Sequence, residues 1–170
     1  MTKMNQFMEK YVADKGLVRF EELSKLFALE LTEIYGCIVL RESINASSQI
    51  KSAEDIKRLY HDLTAFEASC NEIYVNHYYF EAFKDTPHTF KSLMEISFAL
   101  VVTLFERLKR CYPNYAFQIV LSMDIEKTGD GVDDSATIRF TTKRMNESPY
   151  INAEEIEEFD QPILVFEIDQ

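Results

Sequence analysis

The 170-residue chain has no tryptophan, four glycines and three cysteines. Each shortage excludes something. The glycines, Gly16, Gly36, Gly129 and Gly131, form neither GxGxxG nor GxxxxGK[ST]. Those loops need bare backbone to approach phosphate, so a nucleotide cradle is not expected. Cys37, Cys70 and Cys111 are odd in number and widely spaced. That suits reduced thiols in a cytoplasmic protein better than a disulfide framework. There is no CxxC or HExxH, and His61, His77 and His88 are never paired at i, i+4. A metal centre or a catalytic histidine is therefore not expected, and no cofactor is implied. Long apolar runs are missing as well. ISFALVVTLF, residues 96–105, is the longest, whereas a bilayer needs about 20 residues. The first sixteen residues, MTKMNQFMEKYVADKG, carry charge throughout and lack an apolar signal core.

Positive charge is also scarce. Lys and Arg number 18 against 29 Asp and Glu, a net of −11. Such a chain repels phosphate backbones, which argues against direct nucleic-acid binding. The deficit is concentrated: residues 114–170 hold 13 acids and 4 bases, and residues 1–113 hold 16 and 14. One third of the chain carries most of the field.

The composition, 46% hydrophobic and 28% charged, is that of a globular chain, with length enough for one domain over 1–170. Residues 1–113 read as helical. A short first helix carries Phe7, Tyr11 and Val12 on one side and ends at Gly16. A second run spans about 19–44, with Leu23, Leu26, Phe27, Ile34 and Ile38 at helical spacing. Its end, CIVLRES, is β-branched enough to allow a strand. Ser52 and Asp55 form a capping-box-like start for a third helix, striped by Ile56, Leu59, Tyr60, Leu63 and Phe66. Helical patterning continues through NEIYVNHYYFEAF, with a break near 69–71. A fourth helix starts with Asp85 or Thr86 as cap and Pro87 in the first turn. It runs from Phe90 to Leu108, apolar on most sides, and belongs at the centre of the core. Pro113 ends it.

After Pro113 the period becomes two. YAFQIVLSMDIE (115–126) and SATIRFTTKRM (135–145) predict a hairpin across an acidic loop, and PILVFEID (162–169) predicts a third strand. Residues 147–161 have room for one helical turn capped by Asn152. The fold expected is α+β: an N-terminal helical layer of about four helices (1–113) packed on a small C-terminal three-stranded antiparallel sheet (114–170, acidic).

No catalytic constellation is ordered along the chain, so an enzyme is not the expectation. In the loop 126–134, Asp130, Asp133 and Asp134 lack the spacing of a calcium loop and read as a solvated acidic turn. Cys111 follows Lys109 and Arg110, but at a helix C-terminus the dipole disfavours a thiolate. Cys37 and Cys70 read as buried. Tyr74, Tyr78, Tyr79, Phe80 and Phe83 form an aromatic cluster suited to one buried helix side, a ligand pocket or a partner surface.

The bounded segment ESPYINAEEIEEFDQ (147–161) is different. Single-sign charge with apolar residues among it suits docking: Glu154, Glu155, Glu157, Glu158 and Asp160 would steer a cationic partner, and Tyr150, Ile151, Ile156 and Phe159 would anchor it. Asp130, Asp133 and Asp134 would add to the same field. In overall character the chain resembles the immunity proteins of bacterial toxin systems, such as those of contact-dependent growth inhibition. These are small, often acidic, cytoplasmic and free of catalytic motifs. The resemblance is one of character across the chain, not of a motif. It implies a basic protein partner, a cognate nuclease-type toxin, blocked by carboxylates placed where nucleic-acid phosphate would lie. The alternative is a small-molecule sensor or regulatory subunit with a pocket between helices and sheet. A homodimer through an exposed helix or a sheet edge is also compatible with the sequence, with Lys143 and Arg144 protecting that edge.

Overall fold

The structure, a computed structural model, describes residues 2–6, 8, 29–44, 50–77, 89–125 and 134–169. In chain order the elements are β1 (Thr2–Met4), β2 (Leu31–Ile34), β3 (Cys37–Leu40), α1 (Arg41–Ile44), α2 (Ala53–Tyr60), α3 (Leu63–Cys70), β4 (Glu72–Tyr74), α4 (Phe90–Cys111), β5 (Phe117–Asp124), β6 (Ser135–Thr142), a 3-10 turn (Ile156–Glu158) and β7 (Ile163–Ile168).

The class is α+β, but its architecture is not a helical layer on three C-terminal strands. A five-stranded antiparallel sheet has the order β1-β7-β5-β6-β4, and β2 and β3 make a separate two-stranded sheet. The three strands expected after Pro113 form where the alternation places them. The part read as helical supplies four more strands. Residues 2–4 were expected in a helix and instead pair with β7, Lys3 opposite Val165. Residues 72–74, read as a continuation of helix, pair with β6, Glu72 opposite Arg139.

Residues 31–40, read as the end of the second helix with a strand allowed at CIVLRES, form a hairpin. Tyr35 and Gly36 both have positive φ, 49° and 78°, as a two-residue type I′ turn requires. Ile34 and Ile38 are four apart and mimic helical spacing. In the hairpin they point to opposite faces instead, because Ile34 pairs with Cys37 and Glu33 with Ile38: Ile34 packs with Cys37 in one core and Ile38 lies in the other. The first expected helix and the start of the second, residues 9–28, lie outside the described residues, as does the acidic loop 126–133.

The third helix is two helices. Ser52 caps α2 by accepting the Asp55 N–H at 3.1 Å, as the capping pair predicts. The Lys51 N–H, with Arg58 and Ser52, holds the Asp55 carboxyl below its ordinary pKa. His61 then adopts φ 78°, a conformation that favours glycine. Asp62 starts α3 by accepting the Ala65 N–H at 2.6 Å. Leu59, expected in the apolar stripe, is exposed in the last turn of α2.

Helix α4 lies across one face of the five-stranded sheet and is central, as its apolar surface predicts. Its cap is Thr89, accepting the Ser92 N–H at 3.2 Å; Asp85 and Thr86 lie outside the described residues. Leu93, Ile96, Leu100, Leu104 and Leu108 pack on Phe117, Ile119, Leu121, Ile138, Phe140 and Leu164. These described side chains form one packed core between the helix and the sheet.

A second core joins the small sheet to α2 and α3 through Cys37, Val39, Ile56, Phe66 and Cys70. Between β3 and β6 the connection is made by side chains. Glu67, fully buried, accepts the N–H of Ile38 (2.7 Å) from β3 and of Thr142 (2.6 Å) from β6. Asn71, also buried, accepts the Leu40 N–H at 2.9 Å and donates to the carbonyls of Ile38 (2.8 Å) and Phe140 (2.9 Å). Beyond the last β4–β6 pair, these two side chains take the place of a strand. They satisfy backbone groups that would otherwise be buried without partners. Arg144 closes the arrangement with a bidentate pair to Glu67, both bonds 2.9 Å. It also donates to the Gly36 carbonyl at 2.9 Å. Arg144 therefore does not guard a sheet edge as expected. Its guanidinium points inward, and β6 is flanked by β5 and β4.

Candidate functional site

The second face of the five-stranded sheet carries the acidic segment. Side chains alternate along a strand, so Gln118, Val120 and Ser122 of β5, Thr137 and Arg139 of β6, Ile163 and Val165 of β7, and Lys3 of β1 share this face. Residues 150–161 cross part of it. Ile156 is buried against Val120, Ile163 and Val165, with Ile151 and Ala153 beside it.

Two polar residues fasten this segment. Gln118 donates to the Ile151 carbonyl (2.9 Å) and accepts its N–H (3.0 Å). Asn5 donates to the Gln161 carbonyl at 2.9 Å and accepts the Ile163 N–H at 3.1 Å. The sequence reading did not single out either. For Gln118 a signal exists: a glutamine inside FQIVL is a polar group in a strand otherwise fit for burial. For Asn5 there is none.

With its backbone held at both ends and its apolar residue inside, the segment turns its carboxylates outward. Glu154, Glu155, Glu157, Glu158 and Asp160 are all exposed. Lys3 pairs with Glu154, and the Gln6 N–H reaches Glu157 at 3.4 Å. Among the described residues no cation pairs with Glu155, Glu158 or Asp160. The single 3-10 turn at 156–158 fits the expected room for one turn. Its cap is Glu155 rather than Asn152, which instead accepts the Glu154 N–H at 3.1 Å.

The anchoring residues divide. Tyr150 and Phe159 are exposed, at 37% and 36%, while Ile156 is 5% exposed and holds the segment to its own sheet. The reading of Ile156 as a docking residue is therefore corrected. Asp134 is buried at the start of β6, its carbonyl accepting from Asn76 at 2.9 Å, so it is not part of an exposed acidic loop. Asp130 and Asp133 lie outside the described residues, as do Tyr78, Tyr79, Phe80 and Phe83 of the aromatic cluster. Tyr74 is 55% exposed on the same sheet face as Arg139.

The other chemical candidates carry little. Among the described residues no three His, Cys, Asp or Glu side chains converge as metal ligands, and no helix is long and apolar enough to cross a membrane. Burial, with the nearby Glu67 charge second, pushes the Cys37 thiol up to about 12 and the Cys70 thiol up to about 11. Cys111 is exposed. A thiol reagent at pH 8 is thus expected to modify Cys111 alone in the folded protein and all three thiols after unfolding. Mass spectrometry of the labelled chain checks this, and rapid native labelling of Cys37 or Cys70 would contradict the packing around α3.

Comparison with the curated proteins and with the solved structures finds no match. A family model matches the chain over residues 3–170, which takes in every element from β2 to β7 and all of β1 but Thr2. The chain belongs to the Uncharacterized protein PM0498 family.

Proposed function

We propose that the protein is a non-catalytic binding protein of the cytoplasm that docks and neutralises a basic partner protein through the acidic segment 154–160. The observation that carries this reading is the outward display of Glu154, Glu155, Glu157, Glu158 and Asp160 on a segment fastened to the sheet by Asn5, Gln118 and Ile156. Charge held on a fixed backbone needs little ordering when a partner arrives, which favours both steering and affinity. The specific form of the reading, drawn from the resemblance in character to immunity proteins, is inhibition of a nuclease-type toxin. The carboxylates would occupy the cationic surface that the toxin offers to phosphate.

The test is charge reversal. Glu154, Glu155, Glu157 and Glu158 changed together to Lys are expected to slow association with a basic partner about tenfold or more at low salt, with a smaller effect near physiological salt. The partner is to be identified by capture at low and high salt, and the kinetics then measured with the purified pair. Association unaltered by the reversal would refute the acidic segment as the docking site.

A further inference from the structure

The acidic segment leaves part of its sheet face open. Over β5 and β7 the face is closed: Val120, Ile163 and Val165 are buried beneath Ile151 and Ile156. Over β6 and β4 it is not. Ser135, Thr137, Arg139 and Glu72 are only partly covered, and Tyr74 is exposed. Tyr74 stands opposite Thr137, and Glu72 opposite Arg139. Tyr150 enters from the other side, with the Arg139 guanidinium 5.9 Å from its ring centre. Two tyrosines thus border a shallow floor of hydroxyls.

The charges of this face select an occupant. Its cations are already neutralised within the chain: Lys3 by Glu154, Arg139 by Glu72, and Lys143, at the rim, by Glu167 and Asp169. Among the described residues, the carboxylates of Asp124, Glu155, Glu158 and Asp160 have no cation paired with them. An anionic ligand would meet no free cation among the described residues, and a second copy of this chain would bring the same surplus of negative charge. A cationic segment finds the complementary field. Tyrosine rings select further within that class, because a guanidinium stacks on an aromatic face and a compact ammonium does so less well. The Arg139–Tyr150 contact is this kind of pairing inside the molecule.

We infer that the open β6–β4 half of the sheet face, between Tyr74 and Tyr150, receives an arginine-bearing segment of the basic partner. The inference rests on the proposed role as a receptor for a basic protein and adds where the partner's arginines sit. Tyr74 and Tyr150 are the aromatic anchors, and the 154–160 carboxylates supply the approach.

The test uses the full chain with an arginine-rich peptide and with the same peptide bearing lysine at every arginine, followed by backbone amide shifts and titration near physiological salt. The expected result is saturable binding of the arginine peptide, with shifts centred on Tyr74, Thr137 and Arg139. Tyr74→Ala and Tyr150→Ala should each weaken it about two- to thirtyfold, while Tyr74→Phe and Tyr150→Phe bind nearly as the parent. The lysine peptide should bind more weakly and respond less to loss of the rings. Both tyrosines are exposed, so the variants are expected to keep the parent's melting temperature.

Shifts confined to 154–160, abolished by charge reversal there and indifferent to both tyrosines, would overturn the inference and leave the acidic segment as the docking site. No binding of either peptide even at low salt would refute both readings. A dimer dissociated by Tyr74→Ala would assign the face to a second copy and likewise overturn the inference.

Discussion

Arg144→Met is expected to cost about 3–5 kcal/mol of folding stability, because it leaves a buried carboxylate without its counter-charge. Glu67 is fully buried and receives five hydrogen bonds: two from Arg144, two from the Ile38 and Thr142 amides, and one from the Thr142 hydroxyl at 2.8 Å. The amide donors reach opposite oxygens, Ile38 to Oε1 and Thr142 to Oε2. This explains a carboxylate rather than an amide at the position, since glutamine would turn an NH2 group against one of those N–H donors. Arg144→Lys should recover part of the loss, for an ammonium restores charge but not the bidentate geometry. For a chain of this length the Met variant corresponds to a melting temperature lower by on the order of 10 °C. Urea unfolding of the parent, Met and Lys proteins measures the series. A Met variant within about 1 kcal/mol of the parent would show that the pair contributes little beyond what apolar packing supplies.

How much of this was legible in the sequence depends on element length and on how many faces each element buries. Helix α4 was legible because its 22 residues sustain an apolar pattern and Pro113 follows it. Strands β5, β6 and β7 were legible because six to eight residues are enough to show a period of two. Strands β1 and β4 have three residues each, too few for any period. They exist because β7 and β6 present unpaired edges to them. Strand β3 is buried on both faces, so CIVL does not alternate, and only its β-branched residues hinted at a strand. The break at His61 was not read from the sequence: its side chain is exposed, and its positive φ ends α2 as a cap whose N–H donates to the Lys57 carbonyl.

The candidate site divides in the same way. That five carboxylates within seven residues would be solvated follows from their chemistry alone. That Ile156 faces inward does not: one apolar residue among acids serves equally as an anchor to the protein's own sheet or to a partner. The sheet that claims it is assembled from β1, β5 and β7, distant in sequence. Tyr74 was legible as part of an aromatic cluster, but its placement on one face with Arg139 was hidden for the same reason, because that neighbourhood is created by the β4–β6 pairing.

Asn71→Ala is the second substitution expected to have a large effect, about 3 kcal/mol or more, because it strands three buried backbone groups at once. The Leu40 N–H loses its acceptor, and the carbonyls of Ile38 and Phe140 lose their donor. No packing rearrangement supplies replacements, since β3 and β6 meet here through side chains. Asn71→Leu, although better matched in volume, should be no better, which separates loss of hydrogen bonds from a cavity. Asn71→Asp keeps the acceptor for Leu40 but sets a carboxylate against two carbonyl oxygens. Its folded-state pKa is therefore expected to rise above the unfolded value, because the protonated form alone can donate. The penalty is then smallest below the unfolded pKa and grows as pH climbs through the folded one, the reverse of an ion-paired aspartate. Unfolding of Asn71→Asp at pH 4 and pH 7, each against the parent at the same pH, gives the sign. A deficit independent of pH would mean that solvent reaches the junction between the two sheets, and that β3 is held to β6 by apolar contact rather than by the Asn71 and Glu67 side chains.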